Sequence, residues 1–215
     1  EQVNEIHITA ETTIASQIIS GDIVESQVKA VIRGAEIISE KFAADGRCTV
    51  VLSVPIFGVE DSIAKVVFKP VDKEDFPQPS TNKIAEGNYT GLIIDCGDID
   101  LNPVLSPVIR NSDNLSIYSY SNLDYDKVIS KGVVDYAKKD GGTILLTSSS
   151  SPENNISRAG DNPLIIKVES VSDDNSCPVV STSDADKILA ENQASHFLDN
   201  GAVVFTSYRI GGVRI

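Results

Sequence analysis

Two residue types are absent altogether: the 215-residue chain contains no methionine and no tryptophan. Methionine is a routine filler of core gaps, so its absence from a chain of this length is unusual. Histidine is nearly missing, with His7 and His196 as its two examples. A Ser–His–acid triad needs a positioned imidazole. His196 falls late in a helical pattern, and the neighbouring Ser195 is adjacent in sequence without thereby reaching the ring. His7 has no second His or Cys at a usable metal-ligand spacing. The three cysteines, Cys48, Cys96 and Cys177, lie far apart. Without a C-x-x-C pair they offer neither zinc spacing nor a redox motif. Cys48 and Cys96 sit within apolar runs, which predicts small buried hydrophobes. The phosphate-binding patterns G-x-x-x-x-G-K-S/T and G-x-G-x-x-G do not occur, nor do H-E-x-x-H and G-x-S-x-G. Basic residues are scarce, 18 against 31 acidic ones, for a formal charge of −13. Nucleic-acid binders gain affinity by neutralising phosphates, so this balance argues against them. It disfavours anionic membrane surfaces for the same reason. No window approaches the roughly 18 consecutive apolar residues of a membrane-spanning helix.

What is present suffices for a folded body. Apolar residues make up 41% of the chain and charged ones 23%, the balance of a globular protein with a normal core. Near the start, Ile6, Ile8 and Ala10 alternate with His7 and Thr9, which predicts an edge strand. The segment from Thr12 to Asp22 is ambiguous between a short helix and an irregular connection. From Val28 the alternation is interrupted at Gly34, where a bulge or bend is expected. It then resumes to an Ala44-Asp45-Gly46 turn and a returning strand, with Cys48, Val50, Leu52, Val54 and Ile56 on one face. Asp-Gly between alternating runs is a strong hairpin signal. VEDSIAKVVF follows as a short helix or extended exit, and the Pro, Ser and charge content of residues 71–85 marks a linker.

Three strands are expected next, at Leu92–Asp95, Val104–Arg110 and Ser116–Tyr120. Asp124 can cap a helix whose apolar residues Tyr125, Val128, Ile129, Val133, Tyr136 and Ala137 recur at one-sided spacing. Lys138 and Lys139 would complement its dipole before Gly141 stops it. Thr143–Asn162 reads as a polar loop. PLIIKVESV is a strand with Leu164, Ile166 and Val168 inward, SDDNSCP a turn, and Asp184–Asp199 a helix approximately capped by Ser183 and Asp186. AVVFTSY closes as a strand. The fold class is α+β: two small domains, each an antiparallel or mixed sheet with helices packed on it, at residues 1–70 and 86–215.

No pattern calls for a cofactor, a metal or a catalytic group. The densest oxygen-bearing run is Asp95, Asp98, Asp100 and Asn102. It resembles the opening of a calcium loop, but Ile109 stands where the bidentate Glu belongs and Pro103 where glycine belongs. An Asx-rich turn explains it better. Tyr118, Tyr120 and Tyr125 are ligand or interaction candidates for a small molecule or glycan, weighed against simple packing. Paired carboxylates of a hydrolase are defined in space, and 31 acidic residues give that idea no specificity. Asn88, Asn114 and Asn155 fit the N-glycosylation pattern.

Three pieces resemble one bacterial group. They are KAVIRGAEIISEKFAADGRCTVVLSVPIFG, YTGLIIDCGDIDLNPVLSPVIRN with IYSYSNLDYDKVISKGVVDYA, and RAGDNPLIIKVESV with SDADKILAENQASHFLDNGAVVF. Together they are similar to the Lpp-twenty bacterial lipoprotein family, with distant resemblance to the flagellar assembly protein FlgT. GDIDL departs from the more basic, glycine-rich turn of that pattern. The resemblance implies an exported, signal-peptide-bearing envelope protein, periplasmic, outer-membrane associated or secreted. It implies no enzymatic activity, contacts with other envelope proteins or with itself, and membrane association only through a lipid anchor.

Overall fold

The structure, a computed structural model, describes residues 31, 33–140, 143–146, 158–173 and 175–210. His7 and the strand expected around it, the segment Thr12–Asp22 and Asn155 lie outside them.

Alternation of apolar and polar residues makes a hairpin. β1 (Glu36–Phe42) pairs antiparallel with β2 (Cys48–Ser53). The Asp45-Gly46 turn forms as expected, with Gly46 at φ 87° and the Ala43 amide donating to the Arg47 carbonyl at 2.8 Å. Gly34 is not the bulge. The chain is helical at Val31 and Arg33, and the Gly34 amide closes that turn on the Val31 carbonyl at 3.1 Å. The surplus residue is Ile38, because Ile37 pairs with Leu52 and Ser39 with Val51. Directly paired residues share a face. Phe42, Cys48, Glu40, Val50, Leu52 and Ile37 therefore lie on one side, apolar but for Glu40, and Lys41, Thr49, Ser39, Val51, Glu36 and Ser53 on the other. The apolar side is exposed, Phe42 by 76%, Ile37 by 61% and Val50 by 39%. Cys48 is exposed with it, against the expectation of burial.

The short helix α1 (Ile63–Val67) is capped by Ser62, whose hydroxyl accepts from the Lys65 amide at 3.2 Å. Its Ile63 and Ala64 amides bond back to the carbonyls of Pro55 and Ile56. Residues 68–90 contain no helix or strand. In chain order there follow β3 (Gly91–Asp95), β4 (Ile109–Asn111), β5 (Ser116–Tyr118), α2 (Tyr125–Lys131), β6 (Asp135–Asp140), β7 (Thr143–Leu146), β8 (Pro163–Lys167), β9 (Ser170–Ser172), β10 (Cys177–Val180), α3 (Thr182–Ser195) and β11 (Val203–Ser207). Four parallel strands run in the order β6-β11-β3-β8, with β7 antiparallel on the outer side of β6. A four-stranded mixed sheet has the order β5-β4-β10-β9. The protein is α+β, with mixed sheets in separate regions and few helices.

Each parallel strand sends alternate residues to opposite faces. Leu92, Ile94, Val203, Phe205, Leu164 and Ile166 join the main core with Val128 and Ile129 of α2 and Ile188 and Leu189 of α3. Ile93, Val204, Ala137 and Ala159 form a smaller cluster. The inward side of Leu164, Ile166 and Val168 is buried as the alternation predicts. Gly91 is where β3 and the 159 segment meet: a Cβ there would lie 2.7 Å from the Ala202 carbonyl oxygen and closer still to Ala159 backbone.

Several elements differ from the sequence expectation. The helix begins at the Asp124 cap, but it ends at Lys131, and Val133, Tyr136 and Ala137 belong to β6 or its entry. Gly132, at φ 77°, breaks the helix, and its neighbours continue into a strand paired with β11. Helical and extended periods coincide over so few residues. Of the 104–110 run only Ile109 and Arg110 are strand, in β4, and β3 and β4 belong to different sheets. CPVV is β10, and the expected polar loop opens with β7. The cap of α3 is Ser181, whose hydroxyl accepts the Asp184 amide at 3.0 Å and donates to its carboxylate at 2.7 Å. That frees Asp186 for other partners. α3 stops at His196, at φ 55°, and Asn200-Gly201 lies in the turn into β11.

Candidate functional site

The aspartate run leaves the carboxyl end of β3. Asp95 itself accepts the Gly97 amide at 2.9 Å, a short Asx turn. Asp98 and Asp100 are exposed, and the Arg209 guanidinium is 3.9 Å from Asp100. Between them and Asn102 the chain is pinned by buried Leu101, whose amide bonds to the Arg209 carbonyl at 2.9 Å. The Asn102 amide bonds to Asn175 at 2.8 Å. Among the described residues, no group of three or more His, Cys, Asp or Glu is arranged to hold a metal ion.

The tyrosines are packed into the body. Tyr118 is fully buried, its ring stacked on Phe76 at 6.3 Å and its hydroxyl donating to the Val133 carbonyl at 2.7 Å. Burial pushes its pKa well above the ordinary phenol value. Tyr120 is half-buried, 5.3 Å from the ring of Phe68. The Tyr125 hydroxyl donates to the Phe68 carbonyl at 3.3 Å, and Lys65 lies 5.4 Å above its ring. The structure does not gather these rings at one open surface. Nor does it join Ser195 to His196: the Ser195 hydroxyl donates to the Glu191 carbonyl at 2.7 Å, and the exposed imidazole faces Asp199 at 3.6 Å.

The parallel sheet instead brings together residues the sequence left apart. Asp95 ends β3, Lys139 lies near the end of β6, and Thr206 of β11 stands between the two strands. Lys139 Nζ is 2.6 Å from the Asp95 carboxylate and 5.5 Å from the centre of the Tyr208 ring. The carboxyl ends of parallel strands are where open α/β sheets hold ligands. Here the ammonium is committed to a carboxylate and a ring, and serves as a fixed charge. Cys96, next along, is no nucleophile: burial, with the Asp95 charge adding to it and Lys139 opposing, pushes its thiol up to about 12. Burial raises Cys177 also, with Ser176 opposing. Reading residues 135–140 as a strand, from the β-branched pair Val133-Val134 after Gly132, would have placed Lys139 at this edge.

Two carboxylates of α3 are heavily used: Asp186, which the sequence offered only as a cap residue, and Glu191, which carried no sequence signal. Asp186 accepts the Ser80 amide and hydroxyl and the Thr81 hydroxyl, at 2.7–2.8 Å. Glu191 accepts the Glu86 and Gly87 amides, at 3.0 Å. The segment read as a linker is thus irregular in conformation but bound along α3. Arg158 plays a comparable part at the end of α2, pairing with Asp135 at 2.9 Å and donating to the carbonyls of Gly132 and Lys131.

Fold and site together define an α+β module in which Asp186, Glu191, Arg158 and the Asp95–Lys139 pair hold its own segments together. Residues 91–207, from the first residue of β3 to the last of β11, match the family described as the second domain of Treponema pallidum Tp0624. The chain belongs to that family. None of the curated proteins compared with it matches.

Proposed function

We propose that this protein is a non-enzymatic, extracytoplasmic component of the bacterial cell envelope that acts through contacts with other envelope proteins or with copies of itself. The observation that carries this reading is the hairpin, where Phe42, Val50, Leu52 and Ile37 share one face, interrupted by Glu40, and are left open to solvent. Buried apolar surface is what drives protein association, and patches of this kind on soluble domains mark contact sites. Two further features support it. The two nearly closed carboxylates of α3, Asp186 and Glu191, are engaged in structural hydrogen bonds, and the acidic balance is unsuited to phosphate-rich partners. A place in an envelope or flagellar assembly is the finer form of the same proposal.

Native mass spectrometry and cross-linked capture from envelope extracts test it, with wild type compared against Val50→Glu. A complex formed by wild type and lost in the variant is the expected result. A wild-type monomer with the same empty capture as the variant would remove the proposal's support.

A further inference from the structure

Residues 73–87 have no helix or strand in which to satisfy their backbone groups. The Lys83 amide turns back onto the Thr81 carbonyl at 2.9 Å; the acceptors on α3 are Asp186 and Glu191, one turn and a half apart and almost closed to solvent, at 4% and 2% exposure. Every bond in this set runs from a donor on the segment to a carboxylate oxygen: Ser80 N–H, Ser80 O–H and Thr81 O–H to Asp186, Glu86 N–H and Gly87 N–H to Glu191. An ionised carboxylate only accepts, whereas a protonated one carries a hydrogen of its own. A proton arriving at Glu191 would confront two amide donors, and one arriving at Asp186 would confront the Ser80 amide unless the Ser80 or Thr81 hydroxyl turned round to accept it.

Both ends of the segment are held by other means. Upstream, the Glu74 amide bonds to the Ser121 carbonyl at 2.8 Å, and Phe76 stacks on Tyr118. Downstream, the Thr90 amide bonds to the Asn162 carbonyl at 3.0 Å and the Leu92 amide to Ala202 at 2.8 Å. We propose that residues 78–88 are an acid-released flap, freed from α3 when protonation of Asp186 breaks the clamp, while both ends stay docked.

The charged neighbours set when this happens. Facing the flap's hollow of about 230 Å³ are Lys83, Glu86, Lys187 and Glu191. Lys83 Nζ also donates to the Ser183 hydroxyl at 2.8 Å, and Tyr89 donates to the Glu86 carboxylate at 3.0 Å. Asp184 is occupied with the helix cap. Beyond the flap's upstream end, Asp199 gathers Lys73, Asn192 and His196. The Ser80 hydroxyl and amide, then Thr81, hold the Asp186 carboxyl below the ordinary aspartate range, and Lys83 adds to this. A depressed folded-state pKa gives attachment that is complete above the unfolded value and lost as pH falls through the folded one. The flap is therefore closed at neutral pH and opens in acid, uncovering the side of α3 around Ala190.

Amide NMR of the isotope-labelled chain tests this between about pH 7 and about pH 2, a span that runs past the ordinary carboxyl range to reach the depressed Asp186. After correction for intrinsic exchange, the Ser80, Glu86 and Gly87 amides should lose at least about tenfold in protection at the acid end, while Ile94 and Phe205 in the sheet keep theirs. Flap protection that persists in acid, or flap and sheet losing protection together, overturns the proposal. Asp186→Asn with Glu191→Gln places an NH2 donor where an acceptor stood, and should open the flap at pH 7 with the sheet intact. Should the double variant fail to fold, each single variant is read at its own contacts, Ser80 for Asp186→Asn and Gly87 for Glu191→Gln. Wild-type protection there at pH 7 also overturns the proposal.

Discussion

Replacing Gly132 by alanine should be among the most damaging single-methyl changes in this protein. The residue joins α2 to β6 at φ 77° and ψ 171°, a region almost confined to glycine, where an L-residue is strained by about 1–3 kcal/mol. Its new methyl would also come within 2.6 Å of Phe57 Cζ and 2.7 Å of Cε1. Forcing carbon into an occupied space of this kind costs about 1–3 kcal/mol. The sum, about 2–6 kcal/mol, is a large part of the roughly 5–15 kcal/mol that holds a domain folded. Phe57 is only half-buried and has some room to yield, so the lower half of the range is expected. Urea unfolding followed by circular dichroism measures the loss by linear extrapolation. A double-mutant cycle with Phe57→Ala separates the two causes, because removing the ring relieves the contact and leaves the backbone strain. Favourable coupling of about 1–3 kcal/mol is expected. A Gly132→Ala protein within about 0.5 kcal/mol of wild type would refute the reasoning.

Tyr118→Phe keeps the buried ring but strands the Val133 carbonyl, and should cost about 1–3 kcal/mol in the same urea assay; an unchanged midpoint would mean that carbonyl finds another donor. Asp124→Ala removes the acceptor for the Asp126 and Lys127 amides, at about 1 kcal/mol, with the loss of protection concentrated in the first turn of α2. A thiol reagent near neutral pH should label Cys48 quickly and leave Cys96, held at about 12, and Cys177 untouched until the chain is denatured. Fast labelling of Cys96 in the native protein would contradict its burial.

The sequence was most informative where a single local rule decided the structure. The Asp45-Gly46 hairpin, the Asp124 cap and the inward side of Leu164 and Ile166 follow from turn chemistry, capping and alternation. They needed no knowledge of distant partners. The run from Val128 to Ala137 shows the limit. Its apolar spacing suits a helix as well as a buried strand, and the deciding contacts are Phe57 against Gly132 and β11 alongside β6. Both come from residues far away in the chain. The candidate site was hidden for the same reason. Asp186 and Glu191 look like ordinary solvated positions on a helix until residues 80–87 are laid across them. Lys139 looks like a helix-terminal cation until its strand is paired. The tyrosines carry a different ambiguity, since aromatic residues in short strands fit a binding surface and a core equally well.

Ile38 governs how the hairpin could meet anything at all. In an unbroken strand Ile37 would fall on the side of Ser39 and Lys41, and Ile38 on the side of Glu40 and Phe42. With Ile38 bulged, Ile37 instead stands opposite Leu52, and both isoleucines are left in water, at 61% and 58% exposure. The oily side is broken by one carboxylate, Glu40 opposite Val50, so a neighbour lying along it must leave that acid an outlet to water or meet it with a charge of the opposite sign.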